Sequence, residues 1–173
     1  MSPGDELVDV IDEAGSTIDV VSRREMRRRR LPHRCTYVLV FNPRGDLFIH
    51  QRTDTKDVFP GYWDVCIGGV LAAGETFTEG VRREIREELG IDAEATELFS
   101  FWYRGPESFA HGMVYRLDHA GPFQLQVEEI VRGEFAPVDE VRERFQREPF
   151  CPDGILVLEQ YLQAESVNDN TSD

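Results

Sequence analysis

Residues 69–91 constrain the fold more than any other stretch, because they read as a loop feeding a helix whose sides want opposite surroundings. The run Gly69-Val-Leu-Ala-Ala-Gly74-Glu75 is a glycine-bounded loop. Beyond it, Val81, Ile85 and Leu89 recur at i, i+4 and i+8, an apolar stripe suited to packing on a core. Glu84, Glu87 and Glu88 stand at i, i+3 and i+4, so they gather on another face of the same helix. Like charges this close repel, and a hard divalent cation with oxygen ligands would neutralise them. A solvated acidic face is the plainer alternative. It gives no reason for the glycines at 69, 74 and 90. Thr76 with Glu79 predicts a capping box at the helix start, and Gly90 followed by Ile91 predicts a left-handed end. Arg83 lies beside Glu84 and four residues before Glu87, placed to orient a carboxylate.

At Gly69, Glu75, Arg83, Glu84, Ile85, Glu87, Glu88, Gly90 and Ile91 the segment resembles the Nudix box. The resemblance implies hydrolysis of a diphosphate linked to another moiety, with magnesium or manganese as cofactor. It assigns metal binding to Glu84, Glu87, Glu88 and the Gly69 carbonyl. Glu84 and an acid outside the box, Glu128 or Glu129, are then the candidate bases. Arg83 completes the catalytic set, while Glu75, Gly74 and Gly90 shape the motif, with Glu75 bracing the loop.

The chain has 173 residues, enough for one domain with a full core. Its net charge of −14 argues against binding to nucleic acid or a membrane surface by charge. That charge also opposes an anionic substrate, which cations at the site must offset. No apolar run approaches a membrane span, and the start is acidic rather than signal-like, so the expected location is cytoplasmic. Cysteines 35, 66 and 151 are odd in number and far apart, suggesting neither disulfides nor a zinc site. Oligomeric state is left open.

Turn signals and periodicity divide the rest. A hairpin is expected over 6–21, a basic helix or loop over 23–30, strands at 36–41 and 47–50, and a loop over 52–64. A strand at 66–71 enters the box. Further strands are expected at 96–103, 111–117 and 131–136, and helices at about 138–147 and 154–164, the last capped by Asp153. Strands and helices intermix, which predicts an α/β class with a mixed sheet between helices. The resemblance makes this a Nudix-type α/β/α sandwich with an N-terminal β-hairpin extension. The division expected is 1–33 for the hairpin and basic segment packed on the core, 34–164 for the domain, and 165–173 for a flexible acidic tail.

Leu31-Pro-His33-Arg, Phe41-Asn42, Arg52, Lys56 and Phe59-Pro-Gly-Tyr-Trp63 are similar in order and spacing to isopentenyl-diphosphate isomerases and the Nudix hydrolases most like them. That similarity gives Arg52 and Lys56 the role of holding a diphosphate. His33 matches a metal-site histidine of the isomerases, but its partners are missing, so it reads as structural. The isomerase cysteine and histidine positions carry Gly68 and Val70 here. Cys66 is two residues early, a displacement of about 6–7 Å along a strand. The later acidic pair is replaced by Ala110, His111, Gly112 and Met113. A hydrolase of nucleoside di- or triphosphates leads. The isomerase, a hydrolase of a non-nucleotide diphosphate and an idle binding domain are the alternatives. The expected partner is a small phosphorylated molecule, a nucleotide first. Phe101, Trp102, Tyr103, Phe109 and Tyr115 could stack on a base, though core packing explains most strand aromatics. Arg27–Arg30 reads as a solvated basic face rather than a phosphate contact.

Overall fold

A computed structural model describes residues 2–170. A short 3-10 turn at Pro3–Asp5 precedes the hairpin of β1 (Leu7–Ile11) and β2 (Thr17–Ser22), an antiparallel pair forming its own sheet. Helix α1 (Arg23–Arg29) follows, its N-terminus capped by the Ser22 hydroxyl accepting from the Glu25 amide. The main sheet contains β3 (His33–Phe41), β4 (Leu47–Arg52), β5 (Trp63–Asp64), β6 (Thr96–Arg104), β7 (Phe109–Asp118) and β8 (Ile130–Ala136). Its order is β5-β4-β3-β7-β6, with β8 also paired to β4. β3 and β7 run parallel over nine-residue register from His33↔Ala110 to Phe41↔Asp118, and the remaining strand pairs are antiparallel. β3 and β4 share a single register pair, Phe41↔Leu47.

β3 alternates between two cores because successive strand side chains point to opposite faces. Tyr37, Leu39 and Phe41 pack with Met26 of α1, Val141 of α3 (Val138–Arg144) and Leu158 and Tyr161 of α4 (Pro152–Asn170). Val38 and Val40 pack with Val81, Ile85 and Leu89 of α2 (Phe77–Leu89). The mixed sheet thus lies between helices, as expected. Val8 of the hairpin is fully buried in the first core, joined there by Met26.

Several boundaries differ from the sequence reading. Residues 66–71 do not form a strand; Ile67 and Val70 make isolated bridges to Val38 and Cys35. Gly68 between them has φ +136, and a Cβ there would sit 2.2 Å from the Thr36 carbonyl oxygen, so the chain cannot stay regular. The expected loop over 52–64 ends in β5, paired to His50 and Gln51. α3 stops at Arg144 in a turn. Asp153 lies within the first turn of α4 rather than capping it, since that helix begins at Pro152. α4 also continues through Asn170, so residues 165–170 of the expected tail are helical, while 171–173 lie outside the described residues.

Candidate active site

The capping box forms as spaced: the Thr76 hydroxyl accepts from the Glu79 amide at 3.2 Å, and Glu79 returns a bond to the Thr76 amide at 2.9 Å. Gly90 closes α2 at φ 67. Between these ends the apolar stripe seats the helix, and that seating turns Glu84 and Glu88 inward. They are only 7% and 5% exposed.

Arg83 holds the motif together. Its guanidinium donates to both Glu75 carboxylate oxygens at 2.8 and 2.9 Å, to Glu84 at 2.8 Å, to Glu87 at 3.2 Å and to the Val70 carbonyl at 3.2 Å. Glu75 also accepts from the Ala72 amide at 2.9 Å, which folds the loop back on itself. Burial works against the Glu75 charge, but the Arg83 and Ala72 bonds outweigh it and lower its pKa. Gly74, at φ +77, donates its amide to Asp9 of the hairpin at 3.0 Å. Gly69 has no room for a side chain: a Cβ would come within 2.7 Å of a Glu84 oxygen. Its carbonyl accepts from the Thr36 amide at 2.9 Å and keeps a second lone pair.

The three helix glutamates are not equivalent. Burial raises Glu84 to about 7, with Glu129 and Glu87 adding to the rise against the opposing pull of Arg83. Burial, Glu84 and Glu129 push Glu88 well above the usual carboxylate range. Glu87 instead stands at the surface on Arg83. The charge of Glu129 raises both members of the buried pair, and its carboxylate accepts from Lys56 Nζ at 2.5 Å, whereas Glu128 is exposed. Among the described residues no three acidic, histidine or cysteine side chains stand as a ready-made metal site. The donors nonetheless fit a hard divalent cation: two desolvated carboxylates that repel each other, a third whose charge acts on both, and the Gly69 main chain against Glu84.

Next to this cluster a cavity opens beneath β3. Arg52 and Lys56 line it, as do Gly68 and Gly69. Arg52 donates to the Val58 and Phe59 carbonyls at 2.8 and 3.3 Å and lies 3.8 Å from Asp64. Four further residues line the cavity that the sequence did not assign to it: Arg23 and Asp64, Arg27, expected on a solvated basic face, and Asp153, expected as a helix cap. Asp64 is raised to about 7 by burial and by Asp153, and Asp153 accepts from the Tyr37 hydroxyl at 3.0 Å. Arg27 was visible only as part of a basic run. The i, i+4 spacing of Arg23 and Arg27 around buried Met26 was the available hint.

His33 is buried, with Nδ1 on the Leu31 carbonyl at 2.9 Å and Nε2 without a partner among the described residues, and burial lowers its pKa to about 4. Cys66 is buried, and burial with Asp64 and Asp153 raises its thiol well above the ordinary value. On β7, Ala110 is fully buried, and a Cβ on Gly112 would meet Phe101 at 2.5 Å. Packing therefore fills the surroundings of Ala110 and Gly112. The aromatics are also engaged locally: Trp102 stacks on His111 at 4.8 Å and tilts on Phe109 at 5.4 Å, while Phe101, Tyr103 and Tyr115 are buried.

The NUDIX domain family model matches residues 31–154. An uncharacterized Nudix hydrolase of Pseudomonas aeruginosa is 37% identical over 160 residues, covering 92% of this chain and 95% of that protein. The uncharacterized Nudix hydrolase YfcD of Escherichia coli is 33% identical over 165 residues, covering 95% and 91%. The crystal structure of DR0079 from Deinococcus radiodurans superposes with a TM-score of 0.79 at 26% identity, covering 90% of this chain and 98% of that one. With the loop-and-helix motif inside the matched region and relatives aligned along nearly their full length, this chain belongs to the Nudix hydrolase family.

Proposed function

We propose that the protein hydrolyses a nucleoside di- or triphosphate, releasing a nucleoside monophosphate with phosphate or diphosphate. The observation that carries the reading is the buried Glu84–Glu88 pair, raised further by the charge of Glu129 and within the electrostatic reach of Arg52 and Lys56. Such a pair is unfavourable in a protein that has no cation to hold. Glu84 and Glu88 would hold magnesium or manganese together with the Gly69 carbonyl, and Glu87 could join on leaving Arg83. When bound, the cation supplies Lewis acidity toward the diphosphate oxygens.

The side chains have separate tasks. Arg83 fixes Glu84 and the loop through Glu75, so the carboxylates keep their aim. Arg52 and Lys56 offset diphosphate charge in a strongly acidic protein. Glu129, half-buried beside Lys56, takes the proton of the attacking water; Glu84 is the other candidate. Water oxygen bonds to phosphorus as the anhydride P–O bond breaks, and the leaving phosphate departs with the electron pair.

Order and spacing around Arg52, Lys56 and Trp63 support placing the chain on the isomerase-like branch, but as a hydrolase. The packed Gly112 position argues against an acidic residue there for carbon acid–base chemistry. The test is a panel of nucleoside di- and triphosphates and isopentenyl diphosphate with magnesium, read by phosphate release and product mass. Nucleotide hydrolysis that stops in excess chelator is the expected result. Full turnover in chelator, or an isomer as product, would overturn the reading.

A further inference from the structure

Helix α1 carries five arginines, and they fall into two sets. The side chains of Arg23 and Arg27 are 20% and 19% exposed, against 68%, 70% and 52% for Arg24, Arg28 and Arg29. Four-residue spacing sets the inner two on one side of the helix. Both reach one carboxylate: Nε of Arg23 is 3.5 Å and Nε of Arg27 is 3.2 Å from the same Asp57 oxygen. Arg23 also reaches Glu6 at 3.6 Å, and Arg27 donates to the Ser108 hydroxyl at 3.3 Å. Lys56, adjacent to Asp57, is committed to Glu129.

Arg23, Arg27 and Lys56 line two clefts at once. One is the inner cavity beneath β3; the other runs outward past Thr55, Gln126 and Glu129. These three cations therefore stand where the clefts meet, beside the carboxylate cluster. Arg23 and Arg27 also precede the residues 31–154 shared with the family model.

We propose that Arg23 and Arg27 bind an oxyanion of the substrate's diphosphate, and that Asp57 occupies its place in the empty protein. The proposal rests on the reading of the site as one for diphosphates. Two guanidiniums meeting at one oxygen are arranged as for a phosphate, whose several oxygens can accept from both. Asp57 keeps the pair aligned and limits their mutual repulsion; an arriving phosphate displaces its carboxylate without a new side-chain search. The N-terminal segment then belongs to the substrate site and helps to set specificity.

Calorimetric titration of the full chain with inorganic pyrophosphate and magnesium tests this. Arg23→Gln/Arg27→Gln should weaken pyrophosphate binding by about tenfold or more, the scale of losing charge-assisted hydrogen bonds. Arg28→Gln/Arg29→Gln makes the same change in net charge on the solvent side and should shift affinity by less than about twofold. Asp57→Asn should tighten binding by about threefold or more, since it removes the competing carboxylate. If the first pair fails to fold, Asp57→Asn decides. Equal losses in both double variants, parent-like affinity in the first, no gain in Asp57→Asn, or no pyrophosphate binding by the parent would each overturn the proposal. Binding is read without turnover, so a parent that binds pyrophosphate but hydrolyses nothing refutes the hydrolase reading alone.

Discussion

His50 should make the fold acid-sensitive by an amount that one substitution can isolate. It lies on β4, 2% exposed, with Nδ1 lacking a partner among the described residues. Burial, followed by the charges of Arg52 and Lys56, lowers its pKa to about 3. An unfolded chain takes up this proton near pH 6.5, whereas the folded protein refuses it until about 3. Between those values the unfolded state binds more protons, so stability falls as pH falls, and it levels off below both. At pH 4.5, about two units into that window, the loss from this group is about 3 kcal/mol. His50→Leu keeps a similar volume beside Phe48 and strands no hydrogen-bond partner, so it should be tolerated at pH 7.5. Glu84 and Asp64, whose raised pKa values act in the opposite direction, remain in both proteins and cancel in the comparison. Urea unfolding of parent and variant at pH 7.5 and 4.5 measures the effect. The variant should gain about 3 kcal/mol relative to the parent on acidification. A stability difference that stays constant within about 1 kcal/mol would refute the argument.

Other perturbations separate the roles assigned above. Glu84→Gln should lower turnover by about 10²-fold or more, while Glu79→Gln, confined to the helix cap, should change it little; steady-state rates decide. Millimolar magnesium should raise the parent's melting temperature and raise that of Glu84→Gln much less, as scanning calorimetry would record. Cys66→Ala should keep nucleotide hydrolysis within a few-fold and form no isomer from isopentenyl diphosphate, followed by product mass. Gly68→Ala should cost about 3 kcal/mol or more, because it combines a positive φ with a Cβ 2.2 Å from the Thr36 oxygen; denaturant midpoints give the value.

Local signals were the legible ones. The Thr76–Glu79 box, the Gly90 terminus and the Val81–Ile85–Leu89 stripe each depend on neighbours within two turns, and all three read directly from spacing. The 66–71 segment misled because its apolar residues suit a strand, while the fold requires a break at Gly68 under the Thr36 carbonyl. Glu87 was grouped with its neighbours by helical spacing, yet Arg83 holds it at the surface, which periodicity alone cannot resolve. Asp64 and Asp153 are 89 residues apart in the chain and meet only when β5 packs beside α4. The arginines of α1 looked alike in sequence. Which of them turn inward depends on Met26 entering the core, a tertiary event.

Cys35, Cys66 and Cys151 are all free, all buried and all on the wall of the same inner cavity. Burial pushes the Cys35 thiol up to about 12, so in the closed protein almost none of it is thiolate at neutral pH. The three sulfurs consequently act as a built-in clock for that cavity. An alkylating reagent can react only as fast as the surrounding structure opens, and a molecule seated inside slows every sulfur together. Site occupancy can then be followed by mass, without a label and without knowing the substrate beforehand.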